Sequence, residues 1–366
     1  MIRVKIIPIS IGGYVSQIYS GLFDLHAEKK IKLEFGIKPI VSISERKDWG
    51  DPTNSRIFYL EVYFEDGRVY TFCYDLVDGP SIISLSGLEK CDFYFKRSYS
   101  TGFFKNDKET NDPLLRSKIY PYGLNGCWGS EFEFAHIRRL LIYGHHTKQL
   151  YRNPIRSLKR IGKVLILGGR SFKKNIPHEI SPNEPHEQKI LFQTRLFEAN
   201  YPQHAEEVHK LNEFRAKIVR ALKDEFGDRF IGGLFPDKLA IDSYPELITP
   251  FKTTQKEYLS LVKSCQIVIF TRGRRQSTGW RFPEYLAMSR CIISEPLAYE
   301  LPEELVDGKN LLTFTNENEC IAACQKLLGD QDLASQMRNS NFDYYHRNVK
   351  PASLIWNTIN IAKNKL

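Results

Sequence analysis

Apolar positions change their spacing about halfway along the chain, and the two halves predict different architectures. RVKIIPIS (3–10), with Val4, Ile6, Ile7 and Ile9, reads as a buried strand. After it, Val15, Ile18, Tyr19, Leu22 and Leu25 recur at helical spacing, and IKLEF (31–35) predicts a second strand. RIFYLEVYFEDGRVYTFCYDL (56–76) alternates on both sides of Asp66-Gly67, a strong short-range hairpin signal. CDFYFKRSY (91–99) predicts one more strand, with Lys96 and Arg97 near its end. The first half therefore reads as strand-rich with an early helix.

From Lys163 the pattern changes. KVLILGG (163–169) predicts a strand, whereas KKNIPHEISPNEPHEQ (173–188) holds three prolines without periodicity and reads as a linker. Strands and helices then alternate. KILFQTRLF predicts a strand, and 208–226 a helix striped by Phe214, Ile218, Leu222 and Phe226. RFIGGL is a strand ending in two glycines, and TQKEYLSLVKSC a helix aligning Tyr258, Leu261, Val262 and Cys265. QIVIFT, FPEYLAMSR and CIISEP continue as strand, helix, strand, and NECIAACQKLL adds a later helix. Such alternation implies a parallel, doubly wound sheet. The fold class expected is α/β.

Composition narrows the class. The 366 residues suffice for two domains with their own cores, and 42% hydrophobic with 26% charged residues excludes a disordered chain. No apolar run approaches the roughly 20 residues that span a bilayer, and the N-terminus has no signal-peptide pattern. The seven cysteines are scattered without a C-x-x-C pair, which fits reduced thiols in a cytoplasmic protein. Cys320 and Cys324 lie one helical turn apart with no histidine nearby, so no metal site is expected there. The formal charge of +9 points to an anionic partner. Nucleic acid is not expected, because the basic strips carry neither a recognition helix nor an aromatic platform.

The densest chemistry is in RGRRQSTGWRFPEYLAMSRCIISEP (272–296). A strand feeds a basic loop, and the loop feeds a helix beginning near Arg281. Ligands of open α/β sheets bind beyond the carboxyl ends of strands, where helix N-termini favour phosphate. Arg272, Arg274, Arg275 and Arg281 add positive charge, and Glu284 shares a helix face with Arg281. A guanidinium beside a carboxylate can read a phosphate and a pair of hydroxyls together, as a nucleotide sugar requires. The same residues also suit a plain solvated loop and a helix-start carboxylate.

The run from Glu257 to Phe314, with PEYLA, CIISE and ELVDGKNLL in order, resembles the C-terminal nucleotide-sugar domain of GT-B glycosyltransferases, especially bacterial enzymes of surface-polysaccharide synthesis. The resemblance covers about 188–350 well and the first half in outline. It implies two Rossmann-like domains with parallel sheets facing across a cleft: an acceptor-side domain at 1–172, a linker at 173–187, a nucleotide-sugar domain at 188–350, and a final helix at 351–366 crossing back to the first domain. It implies a metal-independent hexosyltransferase-like enzyme without cofactor, using a nucleotide-diphosphate sugar as substrate. The family's pattern has two glutamates separated by seven residues. Glu284 matches the second, which binds ribose hydroxyls; Gln276 stands where the first contacts the donor sugar, a departure that removes a charge. Arg195 matches the basic residue that meets the pyrophosphate, and Arg281 resembles a second phosphate contact. Gly232 and Gly233 stand where the base-binding loop begins, and Ser277, Gly279 and Trp280 complete the expected donor-binding set.

The acceptor side is less legible. Asp78 and Asp92 are the candidate catalytic bases for an inverting reaction, with Asp78 ahead; a retaining reaction needs none. Asp24, His26, Asp75, Glu131 and Glu133 are weaker candidates. Residues 138–163 carry eight lysines and arginines among apolar residues and could rest on anionic lipid at the inner face of the membrane, where a lipid-linked or saccharide acceptor would be met. His145-His146 is not expected to hold metal. A non-catalytic sugar-nucleotide or partner-binding protein of the same fold is the alternative that Gln276 leaves open.

Overall fold

A computed structural model describes residues 1–7, 13–36, 56–128, 153–156, 158–159, 178–200 and 202–365. The chain divides into two units: one of Met1–Pro177, Tyr299–Glu303 and Arg347–Leu366, the other of His178–Ala298 and Glu304–His346. The predicted strand KVLILGG, Glu131, Glu133, His145-His146 and most of the basic 138–163 segment lie outside the described residues.

The first unit is built on a six-stranded sheet. Its elements are β1 (Ile2–Ile7), α1 (Ser16–Ala27), β2 (Ile31–Phe35), β3 (Ile57–Tyr63), β4 (Val69–Asp75), α2 (Leu85–Lys90), β5 (Phe93–Lys96), α3 (Thr101–Asn106), α4 (Pro113–Arg116) and β6 (Ile119–Pro121). The strand order is β2-β1-β3-β4-β5-β6. β3 is antiparallel to both neighbours, while the other pairings are parallel. The sheet is therefore mixed but mostly parallel, with the hairpin read from the sequence between β3 and β4. The cause is local: Gly67 adopts φ +88 and Asp66 Oδ1 accepts from the Arg68 amide at 3.0 Å, so the chain reverses within a loop far too short for a parallel crossover.

Alternation along the strands builds two apolar faces. Phe58, Leu60, Phe72, Tyr74, Phe93 and Phe95 pack with α1 and with the C-terminal helix α11 (Pro351–Lys363), whereas Tyr59, Cys73 and Tyr94 pack with Leu88 and Phe104 on the other side. α11 thus belongs to the first unit. Gly21 makes this packing close, since a Cβ there would lie 2.2 Å from Pro351 O. The buried Gln17 amide ties the preceding segment down, donating to Val349 O at 2.9 Å.

The second unit holds β7 (Glu187–Thr194), α5 (Ala205–Phe226), β8 (Phe230–Leu234), α6 (Lys238–Ser243), α7 (Gln255–Ser264), β9 (Cys265–Phe270), α8 (Arg281–Ala287), β10 (Cys291–Ser294), β11 (Leu311–Thr313), α9 (Glu317–Gly329) and α10 (Gln331–Tyr344). All its strand pairings are parallel, in the order β11-β10-β9-β7-β8. Cys320 and Cys324 are core residues on α9. Residues expected in a linker begin this unit instead: Ile180 is buried and its amide donates to Ala287 O at 3.0 Å. Residues 347–350, expected at the end of the nucleotide-sugar domain, belong to the first unit. No helix among the described residues is long and apolar enough to cross a membrane.

Candidate functional site

The order of the second sheet creates its own binding position. From β7 the chain crosses through α5 to β8 on one side, and later strands add on the other, so the order reverses between β7 and β9. In open parallel sheets the usual ligand position is the crevice beyond the carboxyl ends of the strands at such a reversal.

Two arginines are fixed at this point. Arg215, buried on α5, donates from Nη1 to Arg195 O at 2.6 Å, from Nη2 to Arg272 O at 2.9 Å and from Nε to Thr271 Oγ1 at 3.1 Å. It thereby joins the ends of β7 and β9. Arg281 opens α8, donates to Gln193 O and lies 4.2 Å over the Tyr258 ring. The Tyr258 and Tyr285 hydroxyls hydrogen-bond at 2.6 Å, which locks that ring. Arg281 is thus a placed cation, not a mobile one.

Glu284 follows one turn later and is partly buried. Among the described residues nothing hydrogen-bonds or ion-pairs its carboxylate. Burial pushes its carboxyl up to about 7 against the opposing pull of Arg281. An unsatisfied carboxylate of this kind offers two acceptor oxygens to a ligand at the strand ends.

The loop before α8 divides the predicted arginine cluster. Arg272 is neutralised by Glu295, whose Oε1 accepts from Nη2 at 3.0 Å and Nε at 3.2 Å while Oε2 accepts from the Arg272 amide at 2.7 Å. Arg274 and Arg275 are exposed; Arg274 lies over the Phe197 ring, and the Arg275 amide donates to Glu207. Gln276, also exposed, has φ +54 and accepts from Arg272 Nη1 at 3.3 Å. Ser277 O accepts from the Gly273 amide at 2.8 Å, closing the loop before Gly279 and the partly buried Trp280 lead into α8. The helix has only two turns, so side chains carry the charge of this site more than the helix end does.

Arg195 stands exposed one residue past β7, its guanidinium 5.5 Å from the Phe235 ring. Gly232 and Gly233 stand near the end of β8, as the sequence reading has them. They lie buried inside β8 at φ +140 and +127. A Cβ on Gly232 would meet Phe192 O at 2.0 Å, and one on Gly233 would meet Leu247 O at 2.6 Å. Close backbone packing accounts for both glycines.

In the first unit the two candidate bases lie at opposite edges of the sheet. Asp92 precedes β5 and accepts from the Thr71 amide at 2.7 Å, at the amino-terminal edge. That hydrogen bond ties β4 to β5. Asp78 follows β4 at the carboxyl edge, with Arg97 Nη1 3.0 Å from Oδ1 and Arg56 Nη1 3.5 Å from Oδ2. Beneath it is a fully buried pair: Lys96 Nζ donates to Asp75 Oδ2 at 3.1 Å, to Val77 O and to Ile82 O, and the Tyr94 hydroxyl donates to the same carboxylate at 2.5 Å. Asp75 is thus committed to holding the loop that carries Asp78.

Sequence reading missed Arg215, Glu295 and Tyr258. A signal for Arg215 existed: it lies seven residues from both Val208 and Leu222, on the buried stripe of α5, where a charge needs hydrogen-bond partners.

No protein-family model and no curated protein matched the chain. Solved structures did. Staphylococcus aureus MnaA in complex with UDP is 13% identical over 98% of this chain and 96% of its own, with a TM-score of 0.45. The C-terminal domain of a glycosyl transferase group 1 family protein, LpcC, from Francisella tularensis is 15% identical over 45% of this chain and 88% of its own, at 0.33. A UDP-GlcNAc 2-epimerase from Neisseria meningitidis bound to UDP-GlcNAc is 12% identical over 78% and 75%, at 0.37. At such identities and scores, function has to be argued from the site's own residues.

Proposed function

We propose that the protein is a GT-B-type glycosyltransferase that moves a sugar from a nucleoside-diphosphate donor to a saccharide or lipid-linked acceptor. The observation that carries this reading is Glu284: a partly buried carboxylate without a described partner, one turn from a fixed arginine, at the switch point of a parallel sheet. A ribose diol supplies two donors to such a carboxylate, and a diphosphate supplies charge to Arg281 and Arg195. As the bond from sugar C1 to the diphosphate oxygen breaks, negative charge grows on the departing diphosphate. Guanidinium groups already in place stabilise it without reorganising, so a bound metal is not required for that role. The new bond joins C1 to the acceptor oxygen. In an inverting course the acceptor's proton passes to a base, for which Asp78 is the residue to test; in a retaining course the departing phosphate oxygen takes it.

The acceptor reading draws on the basic segment at 138–163 and places the reaction at the cytoplasmic face of a membrane, in surface-polysaccharide or glycoconjugate synthesis. A binding protein without turnover is the second reading, favoured by Gln276, whose neutral amide accepts from Arg272 where the related pattern has a glutamate. A panel of nucleoside-diphosphate sugars, assayed for protection against thermal unfolding and for slow hydrolysis, separates these outcomes. Protection with hydrolysis supports the transferase, protection alone the binding protein, and neither overturns both.

A further inference from the structure

We infer that Arg215 is a positioning residue for the diphosphate: it fixes the two strand ends and adds a buried positive charge beneath the ligand without touching it. The inference rests on the nucleotide-sugar reading of this site and names a residue which that reading does not require.

All three acceptors of Arg215 are neutral: two backbone carbonyls and a hydroxyl. Among the described residues no carboxylate is hydrogen-bonded to it. The nearest acidic influence is Glu295, and both oxygens of that group are held by Arg272. The guanidinium also packs 4.8 Å from the Phe197 ring, so water does not replace the missing counter-charge on that side. Burying a charge without a carboxylate partner costs free energy. Burial, and after it the like charge of Arg281 and Arg195 at the same strand ends, pushes the Arg215 guanidinium's proton affinity down against the pull of Glu295. Arg215, Arg281 and Arg195 thus all stand at the ends of β7 and β9, and among the described residues none of the three has a carboxylate bonded to it. A polyanion resolves that imbalance; a neutral sugar or nucleoside does not. Because Arg215 bonds Arg195 O and Arg272 O at once, it also sets the spacing of the two residues that flank the crevice.

Charge and scaffolding make different predictions. Calorimetry would compare uridine, guanosine and cytidine with their mono- and diphosphates, on the parent protein and on Arg215→Met and Arg215→Lys. For the nucleotide that the parent binds, Arg215→Met should weaken the diphosphate about tenfold while changing the nucleoside less than threefold. Arg215→Lys keeps the charge but cannot span three acceptors, so it should lower the melting temperature yet keep the diphosphate-to-nucleoside preference within about threefold of the parent. If Arg215→Met does not fold, Arg215→Gln, neutral but still able to donate hydrogen bonds, takes its place as the neutral variant. Equal losses for nucleoside, monophosphate and diphosphate in the neutral variant would make Arg215 merely structural and overturn the inference, as would an unchanged diphosphate affinity there or a loss confined to the diphosphate in Arg215→Lys. Failure of the parent to bind any diphosphate would count against the proposed function itself.

Discussion

Replacing Glu284 with glutamine should stabilise the free protein while weakening its ligand affinity. Burial raises the folded carboxyl from 4.5 to about 7, which corresponds to about 3 kcal/mol against the charged form above pH 7. Solvent screening of a partly exposed group reduces the expected effect to about 1–2 kcal/mol. The folded carboxyl keeps its proton to a higher pH than the unfolded one. The penalty is therefore small at pH 4.5, grows between 4.5 and 7, and is complete above 7, so stability falls across that window as pH rises. Glu284→Gln keeps the shape and removes the charge. At pH 8 its melting temperature should exceed the parent's by about 2–8 °C, at roughly 2–4 °C per kcal/mol, and at pH 4.5 the two should nearly coincide. Nucleoside-diphosphate affinity at pH 8 should fall about tenfold, since an amide oxygen replaces a carboxylate that accepts charge-assisted bonds. Calorimetric melts at both pH values, with titrations at pH 8, measure all three quantities. A lower melting temperature at pH 8 would mean that Glu284 and Arg281 already form a stabilising pair, and the idea of a carboxylate waiting for a ligand would fail.

Glu284→Ala should weaken nucleotide binding more than Gln276→Ala, by about 1.5–3 against about 1 kcal/mol; equal or reversed losses by titration would mean the two residues hold other places. Gly233→Ala should cost about 3 kcal/mol in chemical denaturation, because its Cβ would press on Leu247 O and Thr249 N at an unfavourable φ; a change within 0.5 kcal/mol, about the range of an ordinary surface substitution, would refute the close-approach account. Deleting the chain after Val349 removes α11 and should strip hydrogen-exchange protection from α1, whose Leu22 and Leu25 share a core with Leu354, Ile355 and Ile359. Unchanged protection in α1 would contradict that packing.

Much of this architecture was legible because local signals and tertiary burial agree. The stripe in 208–226, the Asp66-Gly67 turn and the apolar run of β9 each name one element, and the structure has them at Ala205–Phe226, between β3 and β4, and at Cys265–Phe270. The direction of β3 relative to β1 was not legible, since periodicity fixes a strand but not its partner. The glycines of RFIGGL read as a strand end and stand near the end of β8; that the Phe192 and Leu247 carbonyls are what approaches them was not legible. Glu284 and Arg281 emerged from spacing on one helix. Arg215, Glu295 and Tyr258 act from other elements, 57, 23 and 27 residues distant from their partners Arg272, Arg272 and Tyr285, and no local pattern reports such pairings.

The central claim is that the strand ends of β7 and β9 hold a nucleoside diphosphate between fixed guanidiniums and a waiting carboxylate. Titration calorimetry of the full chain with UDP, GDP and CDP, in chelator and at pH 8, tests it directly. The account predicts saturable one-site binding of at least one of the three, with the matching nucleoside much weaker and with Glu284→Gln reducing the affinity. No heat with any diphosphate, or binding that Glu284→Gln leaves untouched, would contradict it.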